Sequence, residues 1–342
     1  MMNKRKMLIN TLFLIVVFSL TIYYIFRDQD IAALLDSIKS SDTRYWLLAI
    51  VCVVFFIGSE SIIIYYMMNS IKQRVKLWHC FLYSFVGFFV SCITPSASGG
   101  QPAQIYFMKK DKIPIPVATL ILMIVTITYK FVLVIIGAFT LLIRTTEIMN
   151  YLDPAVGICW LGLLLNVFCV AFMLLLVFHP ILAKKQLTFF VELLARLRLI
   201  RRKEHHLKKI EAAMQQYQDI AVYFRSHRFV IWNVLIITII QRLLFFYVTY
   251  LVYRSFGYSE TGLVTIVILQ GMISVAVDML PLPGGMGISE KLFLSVFASV
   301  FGPMTLPAMI VSRGLSYYTE LIISAFFTVV AFFTIGRKMK GQ

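Results

Sequence analysis

The chain has 342 residues and a net charge of +16. It is 60% hydrophobic and only 14% charged, with a mean hydropathy of +0.86, whereas soluble domains run about 45–50% apolar and about 25% charged. Those values exclude a soluble globular domain, a disordered chain, a collagen and a disulfide-rich secreted scaffold, and the long unbroken apolar runs argue against the strict alternation of a β-barrel.

A membrane helix needs about 20 mostly apolar residues. Met7–Phe26 meets that length after the basic cluster Lys4-Arg5-Lys6. A cleaved signal peptide would have an apolar core of about 7–15 residues and a small-residue cleavage site. This run is longer and ends at Phe26-Arg27, so it reads as a retained first span. Tyr45–Met68, Val117–Ile143, Ala155–Phe178, Phe229–Tyr253 and Pro307–Ile335 are the other five predicted spans.

Two further apolar stretches are interrupted. Trp78–Thr94 runs into Pro95-Ser-Ala-Ser-Gly-Gly-Gln-Pro102 and resumes to Met108. Gly262–Leu280 runs into Pro281-Leu-Pro-Gly-Gly-Met-Gly-Ile-Ser-Glu290 and resumes to Phe301. Pro and Gly at this density stop a helix. Non-helical backbone at membrane depth survives only where protein or a wet cavity surrounds it. Each stretch is therefore predicted to be a re-entrant hairpin of two short helices around a Gly-Pro turn.

Charge placement supports that arrangement. With the N-terminus in the cytoplasm, segments 1–6, 69–77, 109–116, 179–228 and 336–342 face inward, and each carries a basic excess. Segments 27–44, 144–154 and 254–261 face outward, and none does. That is the positive-inside pattern, so the basicity is a topology signal and an attraction to anionic headgroups, and no nucleic-acid partner is expected. Both termini are then cytoplasmic. The first hairpin enters from inside and the second from outside, an inverted repeat. Paired breaks in two halves point to a midplane transport site.

The predicted fold is an all-α integral membrane protein, six spanning helices plus two oppositely oriented re-entrant hairpins. It is one polytopic domain over 1–342, with halves 1–178 and 229–342 joined by a cytoplasmic linker, 179–228. In that linker Leu207, Ile210, Met214, Tyr217, Ala221 and Phe224 form one helical stripe,. It reads as a connector helix at the membrane surface, since two heptads are too few to specify a coiled coil. The five cysteines, Cys52, Cys80, Cys92, Cys159 and Cys169, all sit in apolar stretches and read as small packing residues,.

Ionisable residues inside a bilayer are costly, so each is a functional hypothesis by default. Here they are Glu60, Lys130, Arg242, Asp278, Glu290, Lys291, Arg313 and Glu320. The alternative is that these four acids and four bases pair and hold the bundle together. Arg313 and Glu320, seven apart on one predicted helix, share a face. The Gly-rich turns offer something different. A half-helix starting near the midplane presents free N–H groups and a positive dipole end, and glycines admit close backbone approach, which together suit phosphate. The competing reading is a glycine kink with no ligand.

Enzyme signatures are missing. The five histidines show no metal spacing, Asp28-Gln-Asp30 is isolated outside, and no G-x-S-x-G, Walker A or dinucleotide fingerprint occurs,. No metal or other cofactor is expected. Without an ATPase motif, any transport would be downhill, ion-coupled or pulled by later metabolism.

Pro95-Ser-Ala-Ser-Gly-Gly-Gln-Pro-Ala-Gln104 resembles the first signature of the lysylphosphatidylglycerol synthase transmembrane region, the flippase-like domain. Leu282-Pro-Gly-Gly-Met-Gly-Ile-Ser-Glu290 resembles its second, and Ser312-Arg-Gly-Leu-Ser-Tyr-Tyr318 resembles the Arg-plus-aromatic pattern of its last span. Gln104 stands where relatives often carry Arg, and Glu320 lies near where they often carry Pro. The resemblance implies a cell-membrane protein that translocates or handles lipid: anionic or aminoacylated phosphatidylglycerol, or a polyprenyl-linked lipid. In the family this activity serves resistance to cationic antimicrobial peptides.

Full-length synthases add a soluble lysyltransferase, which is expected to be absent here because the chain ends at Gln342, right after its last predicted span. A lysyltransferase working with a separate catalytic part and a secondary transporter of a small solute are the alternatives. Membrane phospholipids are the implied partners, together with a separate lipid-modifying enzyme. The implied lipid-contacting set is Gly99, Gly100, Pro102, Gln104, Pro283, Gly284, Gly285, Gly287, Glu290, Lys291 and Arg313. Glu60, Lys130, Arg242, Asp278 and Glu320 are the further intramembrane charges.

Overall fold

A computed structural model describes residues 31–179, 185, 188 and 203–336. The predicted first span, Met7–Phe26, lies outside the described residues. Among the described residues the chain is all helical, with five helices long and apolar enough to cross a membrane and two shorter apolar ones.

After a short helix α1 (Ile31–Lys39), α2 runs over Thr43–Ser70. Asp42 caps it by accepting the Arg44 N–H at 2.9 Å, satisfying a backbone donor that the first turn leaves orphaned. α3 (Leu77–Ile93) and α4 (Gly100–Lys110) pack against each other across the first Gly-rich turn. α5 covers Ile115–Ile143, with a proline in its first turn, where a missing N–H costs nothing,.

The next span, predicted over Ala155–Phe178, is preceded by helical turns that the predicted span does not include. A helical turn α6 (Thr146–Leu152) and a 3₁₀ turn over Asp153–Ala155 feed into α7 (Val156–Phe178). Pro154 ends the predicted apolar run, but near the start of a helix it takes a position that needs no donor.

In the second half, α8 (Lys203–Ser226) leads to α9 (Arg228–Ser255). α10 (Leu263–Val277) and α11 (Ile288–Val296) flank the second Gly-rich turn, and a short α12 (Ala298–Phe301) follows. The last span is α13 (Thr305–Arg313), a π-helical turn over Gly314–Tyr318, and α14 (Thr319–Thr334). The π-turn shifts the register between Arg313 and Glu320.

α2 and α9, each 28 residues long, pack along one another. α14 lies on α3, and α5 lies on α10. α8 packs on α5 through Met214, Tyr217, Ala221 and Phe224, all buried. Those are the last four residues of the predicted stripe; the Leu207 and Ile210 side chains lie outside the described residues. Tyr223 Oη donates to Ser70 O at 2.7 Å, tying this helix to the end of α2.

Buried apolar residues fall into two bodies. On α2 the first contains Ala49 to Ile57 and the second Ile63 to Met68. On α5 the second body takes Val117 to Ile124 and the first takes Leu133 and Leu141. On α9 the division falls between Val234 and Phe246. Glu60, Lys130 and Arg242 all sit in the gap. Burying charge in apolar packing is costly, so the charged residues of three long helices are gathered at one depth.

Candidate functional site

The gap is a cavity of about 510 Å³. The two Gly-rich turns meet at its edge. Pro95 and Pro283 form an antiparallel backbone bridge. Ser96 Oγ donates to Leu280 O at 3.1 Å, and Tyr317 Oη donates to Cys92 O at 3.0 Å. The turns are tight. Ser96 and Ala97 have φ of 50° and 52°, in the left-handed region that L side chains disfavour, and Gly284, Gly285 and Gly287 have φ of 56°, 66° and 84°,.

The glycines are shaped by protein contacts. A Cβ on Gly100 would overlap Ser91 Oγ and crowd the Gly87 carbonyl, and one on Gly284 would overlap the Tyr317 ring. Gly87, in turn, leaves room for Gln104. Small residues here let α3, α4 and the last span approach closely, as they do between membrane helices. The expectation that these glycines leave the backbone bare for a ligand needs correction at both helix starts. Gly99 N–H donates to Thr94 Oγ1 at 3.0 Å. Gly287 N–H donates to Glu290 Oε2 at 2.6 Å, and Ser289 Oγ donates to the same oxygen at 3.1 Å. The positive end of α11 is thus met by the chain's own carboxylate.

Glu290 also receives Arg313 Nε at 2.7 Å, while Arg313 Nη2 reaches Gly284 O at 3.0 Å and the guanidinium lies 4.6 Å from the Tyr317 ring centre. Arg313 is therefore paired with Glu290 and not with Glu320, although both Arg313 and Glu320 line the cavity. Lys130 Nζ donates to Asp278 Oδ2 at 2.5 Å across the two halves, with both side chains about a tenth exposed. Glu60 accepts from Gln104 Nε2 at 2.7 Å, and Glu320 lies 3.6 Å from Cys92 Sγ.

Arg242 makes no hydrogen bond or ion pair with any described residue, and its Nε is buried without a partner. Its guanidinium stacks 3.7 Å from the Tyr129 ring centre and 4.8 Å from that of Phe56. Of the four acid–base pairs that the alternative reading would make, two are present among the described residues, Lys130–Asp278 and Arg313–Glu290.

Gly100, Gln104, Gly284, Gly285 and Arg313 line the cavity, as do Glu60, Lys130, Arg242, Asp278 and Glu320. Gly99, Pro283, Gly287 and Glu290 stand behind its wall or in the turns, while Pro102, on α4, and Lys291 are exposed and do not line it. Tyr129, Gln241, Thr126 and Cys92 also line the cavity and carry no charge that would single them out in the sequence. Each is uncharged, so none breaks the apolar pattern strongly. Only Gln241, a polar amide within an apolar helix, leaves a trace. Of the cysteines expected to be packing residues, Cys52, Cys80 and Cys159 are buried, Cys92 faces Glu320, and Cys169 lines the cavity. Among the described residues no group of three His, Cys, Asp or Glu side chains could hold a metal ion.

The family model described as lysylphosphatidylglycerol synthase TM region matches residues 11–324. No curated protein matches the chain.

Proposed function

Because the chain belongs to the lysylphosphatidylglycerol synthase TM region family, a family of membrane proteins linked to lipid handling, we propose that it is a flippase-like protein of the cell membrane, moving a phospholipid headgroup through the cavity between the two Gly-rich turns. The observation that carries this reading is the convergence of six intramembrane charges and both turns on one polar layer. A cavity with both cations and carboxylates suits a phosphate-bearing headgroup that also offers donors, such as phosphatidylglycerol or its aminoacylated form. Modification of that lipid belongs to a separate enzyme.

The topology proposed with it has six spans and two re-entrant hairpins, with both termini cytoplasmic. α4 and α11, with 11 and 9 residues, reach roughly 16 and 13 Å at 1.5 Å per residue, far short of a hydrocarbon core of about 30 Å. α2, the α3–α4 pair and α5 are matched in order by α9, the α10–α11 pair and the last span. The packing is matched as well, α5 on the second pair and α14 on the first, which supports an inverted repeat. Single cysteines placed at 110 and 209 should resist an impermeant maleimide added to intact cells; labelling at either position would sink this topology.

The function is tested in vesicles. The reconstituted chain should speed the exchange between leaflets of a headgroup-labelled phosphatidylglycerol by on the order of tenfold or more over protein-free vesicles, an acceleration that needs a barrier lowered by only about 1.4 kcal/mol. Exchange no faster than in empty vesicles would reject the reading.

A further inference from the structure

The charges of the cavity differ in what they already hold. Lys130 is held by Asp278 across the two halves. Arg313 is held by Glu290 and by the Gly284 carbonyl, so it fixes the second turn in shape. Arg242 is held by neither carboxylate nor carbonyl of any described residue. Glu60 and Glu320 lie close enough to act on it electrostatically, yet neither forms an ion pair with it, and their hydrogen bonds run to Gln104 and Cys92.

We infer that Arg242 is the residue that takes the phosphate group of the bound ligand, and that Arg313 and Lys130 instead hold the site in shape. The inference rests on the lipid-handling reading above and adds the contact that would recognise the headgroup. A guanidinium stays charged at any physiological pH and offers five donors in a planar fork that matches a phosphate bidentately. Buried donors are nearly always satisfied, and here Nε has no partner among the described residues. Stacking on Tyr129 and Phe56 fixes the plane of the guanidinium without using any N–H,. The side chain belongs to the cavity wall, so a ligand entering the cavity meets a pre-oriented, unsatisfied cation. The carboxylates at a distance balance its charge while the cavity holds no anion, and their neutral partners hold them off the guanidinium. Arg313, by contrast, already commits its Nε edge to Glu290 and an Nη2 donor to the Gly284 carbonyl, so offering that edge to a ligand would leave Glu290 buried and unpaired.

The test uses the full chain in a neutral detergent and titrates three probes: dihexanoyl phosphatidylglycerol, dihexanoylglycerol without phosphate, and sn-glycerol 3-phosphate without chains. Arg242→Gln should weaken phosphatidylglycerol roughly ten- to a hundredfold, the loss of one charge-assisted contact, and leave dihexanoylglycerol unchanged. Arg242→Lys, which keeps the charge but not the fork or the stacking, should fall between the two and serves if the glutamine variant does not fold. Phosphatidylglycerol affinity equal in wild type and Arg242→Gln would overturn the assignment and leave lipid handling intact. So would wild-type binding of both lipids with equal strength. No binding of either lipid by wild type would reject the lipid reading and the assignment with it. Glycerol 3-phosphate bound as tightly as the lipid, with the same loss on Arg242→Gln, would keep the phosphate contact and replace the lipid by a soluble ester.

Discussion

Arg313→Ala is expected to destabilise the protein by about 3–5 kcal/mol, the usual cost of removing one member of a buried ion pair. The reason lies with the residue left behind. Glu290 is 6% exposed and would keep its charge beside α11 with no cation in contact. The variant also removes the hydrogen bond to Gly284 O and the contact with the Tyr317 ring, so the second turn loses two of its anchors. Adding Glu290→Gln should recover a substantial part of the loss. Glutamine can still accept the Gly287 N–H, and no charge remains stranded. Unfolding in detergent, followed by heat or denaturant for the four members of the cycle, measures this directly. If the double variant were as unstable as the sum of the two single ones, the pair would be uncoupled and the account of Arg313 as a brace would fail. Exchange of labelled phosphatidylglycerol should be lost in Arg313→Ala and partly regained in the double variant.

Gly284→Ala should be nearly as damaging. Two separate costs apply. The backbone at Gly284 has a φ of 56°, which an L residue adopts at a cost of roughly 1–2 kcal/mol. The added methyl would also overlap the Tyr317 ring, and overpacking of this kind costs about 1–3 kcal/mol more. The ring cannot simply move aside, because its hydroxyl is bonded to Cys92 O on the first hairpin. The damage therefore spreads to the contact between the two turns. Tyr317→Leu in the same chain should relieve the overlap but not the backbone strain, so the pair should be less destabilised than the two single variants added together. Gly314→Ala is the control, because a Cβ there would meet no neighbouring atom, and its effect should stay within about 1 kcal/mol. Equal stability of Gly284→Ala and wild type would show that the turn is loosely packed and that its glycines have another purpose.

Much of the architecture follows from local chemistry. Apolar runs of 20 or more residues can bury their backbone polar groups only as helices, which is why α2, α5 and α9 begin and end within two residues of the predicted Tyr45–Met68, Val117–Ile143 and Phe229–Tyr253. The Pro- and Gly-rich interruptions are local too, and both interrupted stretches form two short helices around a turn. α7 begins one residue from the predicted Ala155, and the helical turn Thr146–Leu152 before it was less legible, because Pro154 can end one helix or sit in the first turn of another,.

The chain sequence by itself determined that this is a helical membrane protein, where its helices break, and which few residues carry charge into the apolar layer. Those are properties of each segment in its solvent. Only the tertiary structure decided what the charges and glycines do. Lys130 meets Asp278 across 148 positions of sequence, Tyr317 meets Cys92 across 225, and Arg313 meets Glu290 across 23, not Glu320 on its own span. A cation such as Arg242, unpaired among the described residues, is defined by what does not reach it, and that depends on every neighbouring helix at once. The cost of burying a charge is fixed by its partners, and the partners here are brought together by packing between the two halves.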